Sequence, residues 1–345
     1  MRKIALLDYG KLQLQDNVAE IEKITKGTVK VLVKACSICG SDLALYRGQR
    51  SLKDEKYFGH EFSGIVLDAG DKECGIAEGM SVASELRHTC GRCINCINGL
   101  ENYCKSMNDA LLPGGFSEQT LVLNTSEYSF LSPIPKTLSF ETASLLEPTN
   151  CAYRIALKAD LKPGENVVIF GLGAMGIITA IILKSLGAGS IIGVDRNPER
   201  LNKVKALGLM ELVNANDEHW QDKVRSLSSI YGADVVIEAT GAVPVLGDSL
   251  DIVRRGGKIV VASVYHSKAG DLNLLPIMRK ELSIVGAKGP YPHRDSDGQS
   301  ATVRILNKLS GEISKLISVY DYKDALLAFD DALSGKAIKA VIRFD

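Results

Sequence analysis

No other segment constrains the fold of this chain as tightly as IFGLGAMG, residues 169–176. It sets Gly171, Gly173 and Gly176 in a G-x-G-x-x-G pattern. The strand-like run ENVVIFG (165–171) leads into it, and the apolar helix-like run AMGIITAIILKSLG (174–187) follows and ends at Gly187. Each glycine answers a steric demand. The first makes a tight turn, the second lets backbone approach a pyrophosphate, and the third lets helix and strand pack closely. The helix N-terminus then offers free N–H groups and a positive dipole end to phosphate. A second strand, SIIGVD (190–195), ends on Asp195, where a dinucleotide site wants an acid for the adenosine ribose hydroxyls. The carboxylate would repel a 2′-phosphate, which favours NAD over NADP, although Arg196 follows directly and offsets part of that repulsion. The helix-like NPERLNKVKALG and the strands ADVVIEATG (233–241) and GGKIVVASV (256–264) continue the rhythm. Strand and helix in alternation predict an α/β, doubly wound parallel sheet.

The chain has 345 residues, more than one domain usually needs. Up to about residue 140 it reads as short β segments (29–35, 59–70, 116–124) with long loops, a compact β-rich domain. The last sixty residues predict helices around 298–310 and 322–334 and a final strand AIKAVIRF. Lys plus Arg equals Asp plus Glu at 41 each, so no field of one sign points to nucleic acid or an anionic membrane. The N-terminus lacks the apolar core of a signal peptide, and no apolar run nears the roughly 20 residues of a membrane span. The expected location is the cytoplasm, where clustered cysteines serve as metal ligands or catalytic groups rather than disulfides.

Four of the eight cysteines, Cys90, Cys93, Cys96 and Cys104, fall in CGRCINCINGLENYC. A bacterial iron–sulfur run ends C-x3-C-P, whereas here the last gap is seven residues and Lys105 follows. Four thiolates and nothing else suit a closed, structural zinc. A second set is scattered: Cys36 and Cys39 in CSICGSD, His60 and Glu61 in GHEF, and Glu147 in LLEP. Cys, His and carboxylate together suit zinc, and a zinc with an open position can polarise an alcohol oxygen. Cys36, in a strand-like run, reads as a buried small apolar residue instead. A carboxylate in an apolar setting such as Glu61 or Glu147 calls for a metal or a cation.

CGSD, GHEFSG, the four-cysteine cluster, LLEP and GLGAMG occur in the order found in zinc-dependent medium-chain alcohol and polyol dehydrogenases, such as the sorbitol, galactitol-phosphate, butanediol and threonine dehydrogenases, and the chain resembles that family over its whole length. The resemblance implies a GroES-like catalytic domain from 1–148 and 286–345, with a structural zinc lobe at 86–108, and a Rossmann NAD-binding domain from 149–285. It implies catalytic zinc at Cys39, His60, Glu61 and Glu147, with Ser41 as the hydroxyl that takes the alcohol proton. Asp42 is implied to orient His60. Gly171, Gly173, Met175, Gly176, Asp195 and Arg200 are implied to bind the dinucleotide, and Cys90, Cys93, Cys96 and Cys104 to hold a structural zinc. The expected cofactors are two zinc ions per chain and NAD. The expected activity is hydride transfer from a secondary alcohol (a polyol, sugar alcohol or its phosphate) to NAD, giving a ketone. A homodimer or homotetramer is implied, with an interface at the edge strand near 281–286.

Two departures from the family pattern bear on mechanism. Ala44 stands where many members carry a relay histidine, so the proton must leave another way, through water near Ser41. Gly289 and Pro290 replace an Arg–Tyr pair of some polyol dehydrogenases, so Lys288, Tyr291, His293 and Arg294 line a polar or anionic substrate pocket or form a solvated loop. Other readings are an amino-alcohol substrate such as threonine or an aminocyclitol, an inactive NAD-binding protein, and a zinc-knuckle nucleic-acid binder. Neutral charge and a complete dinucleotide motif oppose the last.

Overall fold

The computed structural model describes every residue except 23, 25, 54–57, 71–74, 86–88, 107–113, 124–129, 266, 269, 292–299 and 345. The chain divides into two compact units, Met1–Asn150 with Pro290–Asp345, and Cys151–Gly289.

The first unit is built on β strands. β1 (Lys3–Asp8) and β2 (Lys11–Gln15) form a hairpin. A seven-stranded sheet uses β3 (Thr28–Ser37), β4 (Glu61–Ala69), β5 (Ser81–Ser84), β6 (Gln119–Leu123), β7 (Leu131–Pro133), β14 (Ile317–Asp321) and β15 (Lys339–Arg343). Its order is β14-β15-β3-β4-β5-β7, with β6 on the N-terminal half of β3. Alternation along TVKVLVKACS buries Val29, Val31 and Val33 completely, as expected for a strand with one face on a core. Phe58, Phe62, Phe116 and Phe329 fill that core, and Phe329 comes from the helix Ala325–Ser334. The chain's end therefore returns to its beginning: Val341 of β15 pairs with Ser37 of β3.

The second unit is a six-stranded parallel sheet, with β8 (Val167–Phe170), β9 (Ile191–Asp195), β10 (Glu211–Asn214), β11 (Ala233–Glu238), β12 (Val253–Val261) and β13 (Ser283–Gly286). The order is β10-β9-β8-β11-β12-β13. β8 and β9 are buried at every position, as strands covered by helices on both faces must be. This is the α/β doubly wound sheet that the glycine motif predicts. The helix Ala174–Ser185 follows β8 and gives way to Gly187 in a left-handed conformation, φ 97°. No helix among the described residues is long and apolar enough to cross a membrane.

Candidate active site and dinucleotide crevice

Three ligand-type groups converge in the first unit. Cys39, His60 and Glu61 each offer an atom within 4.8 Å of the others. Local structure explains the convergence. β3 ends at Ser37, and Cys39 caps the short helix Gly40–Tyr46. His60 directly precedes β4, and Ser37 of β3 pairs with Glu61 of β4, so a strand end and a neighbouring strand start supply all three. Ser84 of β5 donates its hydroxyl to His60 O, bracing that backbone from the next strand.

Asp42 acts on both ligand segments at once. Its Oδ2 accepts from Cys39 N at 2.8 Å and its Oδ1 from Gly59 N at 3.1 Å. His60 Nδ1 stands 3.8 Å from Asp42 Oδ1, outside hydrogen-bond reach, so the acid orients His60 through Gly59 and through charge rather than by a direct bond. Burial pushes the Asp42 carboxyl up to about 6 against the pull of His60.

Sequence reasoning missed one residue. Lys339, 4 % exposed, donates its ammonium to Glu61 Oε2 and to Ile38 O at 3.0 Å. Ser37 Oγ donates to the same Glu61 oxygen. Burial alone would raise the Glu61 pKa, but Lys339 and His60 outweigh it and hold the carboxyl below its ordinary value. Burial would lower Lys339, but Glu61 and Cys39 hold it above its usual range. The only signal in the sequence was a lysine inside the apolar strand AIKAVIRF, which also fits a solvent-facing position. The other Glu61 oxygen, Oε1, is buried with no hydrogen-bond partner.

The cluster is negative enough to seek a cation. Burial would depress His60, yet Cys39, Asp42 and Glu147 together hold its pKa well above the imidazole range. Burial raises the Cys39 thiol, which gives up its proton on binding a metal; thiol, imidazole and an orphaned buried carboxylate oxygen are a donor set that fits zinc. Glu147, 6 % exposed on the first turn of the helix Leu146–Ala159, is not one of the three groups within 4.8 Å, but its charge reaches both His60 and Lys339. Ser41 is half-buried on the first turn of the helix Gly40–Tyr46, one residue before Asp42. Cys36 is fully buried, with Sγ against Gly59 O at 3.6 Å, and burial holds it a thiol.

The second cysteine set also converges: Cys90, Cys93, Cys96 and Cys104 place their sulfurs within 4.8 Å of one another. The helical turn Ile94–Ile97 carries Cys96 just after Cys93, and the turn Glu101–Tyr103 delivers Cys104. Backbone N–H groups of Lys105 and Cys96 aim at Cys93 and pull its thiol down to about 6. Cys104 Sγ accepts from Cys90 N at 3.2 Å. Thiols ringed by N–H donors suit a bound cation, and the four form no disulfide. Tyr291 braces this lobe: its hydroxyl donates to Gly99 O at 3.0 Å and its N–H to Asn150 Oδ1 at 2.8 Å. Lys288 is exposed, and partial desolvation lowers its pKa. His293 and Arg294 lie outside the described residues.

In the second unit the glycines divide their tasks as steric reasoning requires. Gly171 has φ 92°, and a Cβ there would meet Ala239 O at 2.9 Å. A Cβ on Gly176 would fall 2.0 Å from Gly171 O, so helix and turn touch through it. A Cβ on Gly173 would meet nothing within 4 Å; it faces open space of the kind a pyrophosphate fills. A crevice of about 320 Å³ opens beside the turn, lined by Gly173, Asp195, Arg200, Thr240 and Ala242 among others. Met175 and Gly176 stand on the first turn of the helix that follows. Asp195 is nearly buried. Its Oδ2 holds Leu172 N and Arg200 Nη1 at 2.8 and 2.9 Å, and its Oδ1 holds Asn197 N at 2.9 Å. A carboxylate has about four acceptor sites, so one remains for a ribose hydroxyl.

Comparison with known proteins agrees with this geometry. Residues 25–136 match the alcohol dehydrogenase GroES-like domain family, and residues 174–298 match the zinc-binding dehydrogenase family. The chain is similar to a protein named sorbitol dehydrogenase in Halalkalibacterium halodurans, 29 % identical over 92 % of each chain. It is similar to L-threonine 3-dehydrogenase of Rhizobium etli, 29 % identical over 98 % of each. It is 31 % identical to the probable D-xylulose reductase A of Neosartorya fischeri, over 91 % of this chain and 88 % of that one.

Proposed function

Because the chain belongs to the zinc-dependent medium-chain polyol dehydrogenases, alcohol oxidoreductases that use NAD(P), we propose that it oxidises a secondary alcohol on a polyol, sugar alcohol or sugar-alcohol phosphate to the ketone, with NAD as acceptor. The observation that carries this reading is one chain holding the buried Cys39–His60–Glu61 cluster and the Gly171–Gly176 turn. The xylulose reductase relative supports the secondary alcohol, because D-xylulose is a ketose and its reduction gives a secondary carbinol.

Cys39, His60 and a glutamate, Glu61 or Glu147, would hold the catalytic zinc, and Cys90, Cys93, Cys96 and Cys104 a structural one. Catalytic zinc supplies a Lewis acid that lowers the pKa of an alcohol hydroxyl. Lys339 and Ser37 keep Glu61 Oε2 occupied, so the carboxylate has only Oε1 to turn toward a cation. Asp42 holds the backbone on both sides of the cluster and so fixes the Cys39–His60 separation. Ser41 accepts the hydroxyl proton and passes it to water, since Ala44 offers no group to carry it. The hydrogen on the carbinol carbon leaves with its electron pair for the nicotinamide of a dinucleotide held by the glycine turn, and the carbon–oxygen bond becomes a carbonyl. Asp195 selects NAD by accepting from the ribose hydroxyls.

Purified protein given a panel of polyols, their phosphates and amino alcohols with NAD or NADP should produce NADH fastest with a polyol. It should contain two zinc ions per chain. Cys39→Ser should abolish turnover while NADH binding, read by fluorescence, stays near wild type; near-normal turnover in this variant would remove Cys39 from the catalytic set. An amino-alcohol substrate is the second reading, favoured by the threonine dehydrogenase relative, and the same panel separates the two.

A further inference from the structure

Glu238 ends β11 with no exposed surface, and the reaction just described makes no use of it. Its Oε1 accepts from Thr240 N at 2.7 Å, Gly241 N at 3.1 Å and the Thr240 hydroxyl. Its Oε2 accepts from the Tyr265 hydroxyl at 2.6 Å and the Ser263 hydroxyl. One carboxylate thus ties the loop after β11 to the loop after β12. All of these donors are neutral, and a charge buried among neutral dipoles is less well neutralised than one in an ion pair.

The position in the sheet gives this network a direction. From β8 the chain steps outward to β9 and β10, then returns to the other side of β8 and continues through β11, β12 and β13. In such sheets the ligand lies outside the carboxyl ends of the strands, where the order reverses. Here that point is between β8 and β11. Asp195, at the end of β9, marks the adenosine side. Glu238, at the end of β11, is across β8 from it, and Thr240 and Ala242, just after Glu238, line the same crevice as Asp195; the loop after β12, which Glu238 also ties, lies one strand farther from Asp195.

We propose that Glu238 is a positioning residue for the nicotinamide half of the dinucleotide, and that its buried charge makes the site bind the oxidised form more tightly than the uncharged Gln would. This rests on the dinucleotide reading above. The oxidised nicotinamide ring is a cation and the reduced ring is neutral, so a fixed anion nearby stabilises only the first. The two loops that Glu238 joins form one wall only while both are tied to it.

Glu238→Gln separates charge from scaffold. The amide oxygen can still accept from Thr240 and Gly241, and its NH2 can donate to the Ser263 and Tyr265 hydroxyls, which accept as readily as they donate. Dissociation constants for NAD and NADH, measured on the full chain by calorimetry and NADH fluorescence, are the readout. Glu238→Gln should weaken NAD about five- to tenfold and leave NADH within about twofold, since only the oxidised ring carries a charge for the anion to attract. Tyr265→Phe removes one tie and keeps the charge. It should weaken both forms alike, by roughly fivefold, the worth of one hydrogen bond. If wild type binds neither form, the dinucleotide reading itself fails. If wild type binds both and Glu238→Gln leaves the NAD-to-NADH ratio unchanged, the charge role alone is overturned. If Glu238→Gln does not fold, Tyr265→Phe carries the test, and unchanged affinities there overturn the positioning role.

Discussion

Replacing Lys339 with methionine should show what the buried pair contributes. Methionine keeps an unbranched apolar stem close to that of lysine and deletes its ammonium. Glu61, 0 % exposed, would then keep only the Ser37 hydroxyl on Oε2, with Oε1 already unpartnered. Removing one partner of a buried ion pair costs about 3–5 kcal/mol, because the remaining charge is stranded in a poor solvent. Against a total stability of about 5–15 kcal/mol, that is a large fraction. Urea denaturation at pH 7, at one fixed zinc concentration, should register the loss. Glu61→Gln in the Lys339→Met background should recover much of it, since the stranded charge disappears; a double-mutant cycle should return a coupling of at least about 2 kcal/mol. The pH dependence follows from the directions of the two shifts. Glu61 is held below its ordinary value, so its contribution is present above about pH 4.3, the unfolded carboxyl value, and is lost as pH falls through the lower folded value. Lys339 is held above its ordinary value, so its contribution is full below about pH 10.4 and is lost as pH rises through the higher folded value. Lys339→Met should therefore look most damaged between those limits and approach wild type in acid. Wild-type-like stability at pH 7, with no recovery in the double variant, would refute the argument that this lysine neutralises Glu61.

Gly173→Ala should fold with wild-type stability, because its Cβ meets nothing, yet lose dinucleotide binding by tenfold or more; intact NADH binding would place the pyrophosphate elsewhere. Gly176→Ala puts a Cβ 2.0 Å from Gly171 O, so it should lower the melting temperature as well as binding. Cys104→Ser should remove one zinc per chain and reduce thermal stability more than it reduces turnover per folded molecule, as zinc analysis beside a melting curve would read. Ile284, 39 % exposed on β13, lies on the sheet edge expected to pair copies of the chain; Ile284→Lys should shift light scattering toward monomer.

Legibility followed the range of the interactions. The glycine turn, the β8–helix–β9 unit and the four-cysteine lobe were readable because their causes are local: a backbone that must bend within a few residues, or sulfurs that must gather over a short loop. The strand-and-helix rhythm of the second unit was legible for the same reason, and it carries Asp195 to the end of its strand. Cys39, His60 and Glu61 were readable as ligand types, but only the pairing of β3 with β4 made them a cluster. Nothing local could say that Glu147 stands outside that group, since its distance depends on where its helix packs. Tyr291 read either as a pocket residue or as part of a solvated loop; its bond to Gly99 spans 192 residues, a tie that nothing local could state.

What the sequence determined alone is therefore the kind of chemistry, a thiol–imidazole–carboxylate set and a phosphate cradle, because side-chain identity and short spacing carry that information. Which charge answers which was decided only by the tertiary structure. Lys339 reaches Glu61 across 278 residues because β15 closes onto β3, and Glu238 gathers hydroxyls and N–H groups from two loops on adjacent strands. A buried charge is governed by its nearest neighbours in space, and in a sheet those neighbours are set by strand pairing, which the order of residues along the chain does not state.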